Sequence, residues 1–118
     1  MIERDILIDF MNKKYDVNPD YPWDNLKRYG VFRHKDNGKW FCLLMDIAPD
    51  KIGLEGNSKI DVINIKVRKE FIGPLRKKKA IYKAYHMDKS NWVTINLSEI
   101  NSINIIKDLI AESFELTS

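Results

Sequence analysis

Few side chains in this sequence could do chemistry, and their spacing decides between catalysis and binding. There are two histidines, His34 and His86, and one cysteine, Cys42. A general acid or base needs an orienting partner and a substrate within hydrogen-bond reach. Neither histidine has a recognisable partner set, and no two carboxylates have a spacing that defines a catalytic pair. Cys42 lies mid-strand among Trp40, Phe41, Leu43 and Leu44, which reads as a buried, inert thiol. A nucleophilic cysteine needs an electropositive, accessible setting. A single cysteine also excludes an intrachain disulfide and a cysteine-based zinc site. Gly53-Leu54-Glu55-Gly56 lacks the lysine and Ser/Thr of a phosphate-binding loop and the glycine spacing of a dinucleotide fold. The expectation is a protein that is not an enzyme, with no catalytic residues, no metal and no cofactor.

The charges point to binding instead. The net charge is +3, too small to imply nucleic acid by itself. Its distribution says more. Residues 66–89 hold nine Lys or Arg against two acids, +7, whereas residues 1–26 and 99–118 each carry −3. A dipolar molecule of this kind can steer an anionic partner over about a Debye length, roughly 8–10 Å. Within the basic segment Arg76-Lys77-Lys78-Lys79 has two readings: a solvated helix end whose cations suit the dipole, or a patch that contacts phosphates.

The elements that position these residues follow from periodicity. Ile2, Ile6 and Phe10, flanked by Leu7 and Met11, predict a helix from Ile2 to about Tyr15, with Ile8 outside its stripe. Asn18-Pro19-Asp20 and Tyr21-Pro22 stop it, and Trp23 then plugs an edge of the core. Val31 to His34 and Lys39 to Ile47 are strands joined by Lys35-Asp36-Asn37-Gly38, where Asn-Gly supplies positive φ. In the second strand alternation places Trp40, Cys42 and Leu44 on one face and Phe41, Leu43 and Met45 on the other. Residues 48–59 form a loop with a short turn near Ile52. Ile60 to Val67 is the next strand. Arg68 to about Lys79 is a helix that Gly73-Pro74 either kinks or splits. Ile81 to Tyr85 is a short strand, His86 to Asn91 a turn, and Trp92 to Leu97 the last strand, with Trp92 packed against a helix. Asn101 or Ser102 caps a final helix to about Leu116, with Ile103, Ile106, Ile110 and Phe114 as its stripe. Strands joined by short turns favour an antiparallel sheet with helices on one face, so residues 1–118 are expected to form a single α+β domain. Glu3, Arg4, Asp5 and Asp9 break up any apolar leader, and no apolar run approaches the roughly 18 residues of a membrane span. A cytoplasmic monomer with no membrane contact is the expectation.

Tyr85-His86-Met87-Asp88-Lys89, two further residues, then Trp92-Val93-Thr94-Ile95 resembles the signature of the MmcQ/YjbR family. Pro22-Trp23, the pair Val31-Phe32-Arg33 and Gly38-Lys39-Trp40-Phe41, and the closing run Ala111 to Leu116 are similar to further family segments in the same order. Asp88 stands where the family usually has Asn, Asn91 where many members have His, and Lys83 where Pro is frequent. The resemblance implies a CyaY-like fold, an antiparallel sheet packed against N-terminal, middle and C-terminal helices. It also implies a DNA-binding role described as a double wing. In that reading the hairpins around Lys35–Lys39 and His86–Ser90 approach double-stranded DNA. The candidate nucleic-acid-binding residues are Arg33, Lys39, Arg76, Lys77, Lys78, Lys83, His86, Lys89 and Asn91. For His86 the other reading is a hydrogen bond that closes the hairpin.

Two other functions are carried beside this one. A regulatory adaptor would use the dipolar surface to meet an acidic protein partner. Frataxin-type proteins of CyaY-like fold bind iron through an acidic helix ridge, for which Glu3, Asp5, Asp9 and Asp16 are the counterparts. Of these, Asp5 and Asp9 alone have the i,i+4 spacing that brings carboxylates together.

Overall fold

The structure is a computed structural model describing residues 1–118. Three helices and five strands follow in the order α1 (Arg4–Tyr15), β1 (Gly30–Arg33), β2 (Trp40–Ile47), β3 (Ile60–Lys66), α2 (Ile72–Arg76), β4 (Ile81–Lys83), β5 (Trp92–Asn96) and α3 (Lys107–Thr117). The strands form one sheet in the order β1-β2-β3-β5-β4, and every neighbouring pair is antiparallel. The architecture is α+β, as expected. β1 and β4 are its two edges.

One face of the sheet carries the helices. Leu7 and Met11 of α1, Leu75 of α2, and Ile106 and Ile110 at α3 pack onto Ile63 and Ile65 of β3 and Val93 and Ile95 of β5. The helix α1 is rotated from its expected stripe: Ile6 is exposed, while Ile8 packs against the core. Ile2 lies before the helix and hydrogen-bonds through its amide to Leu97 O at 3.0 Å, so the helix starts two residues later. Asp16 ends it in the left-handed region, its N–H on Asn12 O at 2.9 Å.

The other face carries loops. Tyr29, Val31, Leu43, Met45, Ile47 and Val62 are covered by Trp23, Leu26, Tyr85 and Met87. Trp23 meets Trp40 edge-on at 5.7 Å, so it does plug a core. Trp92 shares this face with Thr94 and Asn96 by strand alternation and does not pack on a helix.

Period two fails at the start of β2. Phe32 pairs with Cys42 but Arg33 with Trp40, so Phe41 is the extra residue of a β-bulge. Phe41 therefore joins Cys42 and Leu44 on the helix face, and Trp40 sits with Leu43 and Met45. The turn before it is as expected: Gly38 has φ +71, and Lys39 N–H reaches Asn37 Oδ1 at 2.8 Å.

The middle helix is shorter than its pattern suggests. A 3₁₀ turn at Lys69–Phe71 leads into α2, and Pro74 is its third residue. A first-turn N–H has no intrahelical partner, so proline costs little there. The helix stops at Arg76, and Ala80 at φ +74 redirects the chain into β4. Lys77, Lys78 and Lys79 thus lie in a turn and not on a helix end. The strand β4 stops at Lys83, two residues early. Ser102 caps a 3₁₀ turn at Ile103–Ile105, and α3 begins after it.

Candidate nucleic-acid interface

The basic segment converges on the edge strand β4. A cavity of about 520 Å³ runs beside it, between the turn at Lys51–Gly53 and the run Arg76–Lys79. Six cations line it: Lys51, Arg76, Lys78, Lys79, Lys83 and Lys89. None of the six forms an ion pair with a carboxylate of the protein. The one acid in the wall, Glu99, is engaged: its Oε1 accepts from the Tyr82 hydroxyl and from Asn96 Nδ2. Burial and then the Glu99 carboxylate push the Tyr82 hydroxyl up to about 12, so it stays protonated and its ring is held in place.

The turn from Ala84 to Asn91 closes one end of this groove. Its conformation is set by β3 and β5. Tyr85 N–H donates to Thr94 Oγ1 at 2.9 Å, and Asn64 Nδ2 donates to Tyr85 O at 2.7 Å. His86 follows at φ +69, a left-handed conformation that a non-glycine residue adopts at a cost. Tyr85 and Met87 pack against the second core. The turn is thereby tied to the sheet at Tyr85 and Met87, while Asp88, Lys89 and Ser90 are exposed.

Asp88 organises the rest of the turn. Its carboxylate accepts from Ser90 N at 2.9 Å, Ser90 Oγ at 2.7 Å and Asn91 Nδ2 at 3.0 Å. These bonds, the Ser90 amide foremost, hold its pKa at about 2. The Asp88 carboxylate is therefore a turn anchor.

Of the nine candidate residues, Arg76, Lys78, Lys83 and Lys89 line the groove. Lys77, its neighbour in the run, does not. Asn91 is half-buried and spent on the turn, its amide on Asp88 and its carbonyl accepting from Val67 N at 2.8 Å. His86 makes no hairpin-closing hydrogen bond; its ring lies 3.8 Å from that of Tyr85. Arg33 and Lys39 belong to the β1–β2 hairpin at the opposite side of the sheet. Arg33 is also occupied, paired with Asp20 at 3.2 Å and stacked over Trp40 at 5.4 Å. The two hairpins do not form one positive face.

Lys51, Lys79, Tyr82, Tyr85 and Glu99 also line the groove and were not among the candidate site residues. Lys79 carried a signal, since it belongs to the basic run. Lys51 carried none: a lysine in a long loop says nothing about which strand edge it meets.

The other chemistries find no support in the geometry. Burial raises the Cys42 thiol well above its ordinary pKa, the opposite of what a nucleophile requires. His34 is buried against Phe114 at 4.1 Å, with Nε2 2.8 Å from Thr117 Oγ1. Asp9 pairs with Lys13 and Asp16 with Lys35, so the acidic residues of α1 do not gather into a ridge.

Comparison with known proteins agrees with this fold. The Bacillus subtilis (strain 168) protein YyaQ is 38% identical over 117 residues, 99% of each chain. A crystal structure of a Pseudomonas syringae protein superposes with a TM-score of 0.96 at 49% identity, covering 99% of this chain and all of that one. Deinococcus radiodurans protein DR2400 superposes with a TM-score of 0.70 at 20% identity, over 98% of this chain and 78% of that one, a likeness of fold alone. The YjbR family model matches residues 12–116, a span that takes in the sheet, the groove and nearly all of α3, and the chain belongs to the YjbR family.

Proposed function

We propose that this protein binds nucleic acid through the groove beside β4. The observation that carries this reading is the set of six unpaired cations facing one cavity whose single acid is already hydrogen-bonded. Unpaired cations at such density repel one another, and a polyanion relieves that repulsion while releasing its own counterions. Lys51, Arg76, Lys78, Lys79, Lys83 and Lys89 contact phosphates in this reading. Arg33 and Lys39 stand outside it. An acidic protein would answer the same charge, but the phosphate backbone supplies it at a regular, dense spacing.

The test is a fluorescence-anisotropy titration with a labelled oligonucleotide between about 50 and 200 mM salt, where a polyanion contact must weaken steeply. Binding at low salt that falls with salt, and that Lys78→Ala/Lys83→Ala/Lys89→Ala lowers at least tenfold, supports the proposal. Absence of binding at the lowest salt, or an affinity that the triple variant leaves intact, overturns it.

A further inference from the structure

We infer that the groove takes a single strand of nucleic acid, extended along β4, in preference to a duplex. This rests on the nucleic-acid reading above and adds the form of the ligand. Three observations carry it.

The binding surface is concave. A duplex presents its phosphates on a convex surface, and its bases are reached by an element that projects into a groove. The turn that follows β4 is tied down where it meets the groove, with Tyr85 packed on the second core. Asn64 and Thr94 hold the start of that turn on the sheet through the backbone of Tyr85. The other hairpin tip lies across the sheet from the groove.

The wall also contains aromatic rings. Tyr82 and Tyr85 line the cavity among the cations. A positive groove with interleaved aromatic rings is what an unpaired strand needs: cations follow its backbone while bases stack on the rings, without regard to sequence. The Tyr82 ring is already fixed through Glu99, so little side-chain freedom is lost on stacking.

The third observation is the free edge. Asn96 N–H donates to Ala80 O at 2.8 Å. The antiparallel alternation then turns the backbone of Tyr82 toward Thr94 and that of Lys83 outward. Lys83 therefore offers a backbone N–H and C=O to the cavity beside its ammonium group. Unpaired bases present their Watson–Crick edges to such groups, whereas in a duplex those edges are occupied by pairing. The same row of cations discourages the edge from pairing with a second copy of the chain.

The experiment compares a labelled oligothymidine of about 12 nucleotides, within the site sizes of single-strand grooves, with a blunt duplex of equal length. Both are titrated under the same low-salt conditions. The oligothymidine is expected to bind at least tenfold more tightly. Tyr82→Ala should weaken it about fivefold or more, while Tyr82→Phe, which keeps the ring but loses the bond to Glu99, should weaken it less than Tyr82→Ala does. Upfield shifts of the Tyr82 ring protons on adding oligothymidine report stacking directly, in the unaltered protein. Equal or tighter duplex binding, or unshifted Tyr82 ring protons at saturation, overturns the inference and leaves the nucleic-acid reading standing. If neither probe binds, the nucleic-acid reading itself has failed.

Discussion

Asn64 and Thr94 face each other across β3 and β5, and between them they satisfy both backbone groups of Tyr85. The Thr94 hydroxyl in turn donates to Asn64 Oδ1. Two fully buried polar side chains in the middle of a sheet thus find partners, at the point where the chain leaves β4. This contact ties the start of the signature turn to the sheet.

Replacing Asn64 by Leu strands a buried Thr94 hydroxyl proton and the Tyr85 carbonyl. Each unsatisfied buried group costs about 1–3 kcal/mol. Urea unfolding should show a loss of at least about 2 kcal/mol, and the Tyr85 to Asn91 amides should exchange faster than those of β2. An unchanged midpoint with unchanged exchange would contradict this role.

Ser113 presents a second case. Because Phe41 is bulged, the β2–β3 ladder cannot continue past Cys42 and Ile65. The Ser113 hydroxyl fills the gap, donating to Phe41 O at 2.6 Å and accepting from Lys66 N at 2.9 Å. Ser113→Ala leaves both backbone groups unpaired and should cost at least about 2 kcal/mol, read as a lower denaturation midpoint at unchanged m-value.

These two contacts show where sequence reasoning stops. The strands and their order along the chain were legible from apolar alternation, but the face of β5 that carries the helices was not: Trp92 was expected against a helix, whereas Val93 and Ile95 meet the helices. Nor were the faces of Trp40 and Phe41. Their bulge is served by a serine 72 residues away, which no local period can reveal. The basic segment was visible as charge, but its length as a helix was misjudged. Pro74 sits in a first turn, and the helix ends at Arg76, directly after the last apolar position, Leu75. The groove also needs Lys51 from a distant loop, a contact that depends on the whole sheet being assembled.

Tyr15 supports a prediction of the opposite sign. Its ring packs on Phe41 and Phe114 at 5.5 and 4.6 Å, yet its buried hydroxyl has no partner. Tyr15→Phe keeps the packing and removes an unsatisfied polar group, so stability should hold or rise by up to about 1 kcal/mol. A clear loss would show that the hydroxyl is paired after all.

Asp88 makes the turn sensitive to acid. Its pKa lies at about 2 in the fold against an ordinary 3.8. A depressed carboxylate stabilises the fold above its unfolded pKa, and that contribution disappears as pH falls toward the folded value. The turn should therefore loosen between pH 3.8 and about 2. Asp88→Asn cannot titrate. Its stability difference from the parent should be largest above this window and shrink across it, as followed by urea midpoints and the Ser90 amide shift. A difference that stays constant with pH would contradict the assignment.

Arg33 separates the groove from a two-hairpin surface. Arg33→Ala breaks an exposed pair with Asp20 and a contact with Trp40, which should cost no more than about 1–2 kcal/mol. Oligonucleotide affinity should stay within about twofold, whereas Lys83→Ala and Lys89→Ala should each lower the salt slope by about 1. A loss at Arg33 equal to that at Lys83 would place the β1–β2 hairpin in the interface.

The most direct test of the account is an amide chemical-shift titration of the protein with a short oligonucleotide. The predicted result is a continuous perturbed surface at residues 51–53, 76–85 and 89 with the hairpin at residues 33–39 unmoved. Perturbation confined to residues 33–39, or none at saturating oligonucleotide, would contradict it.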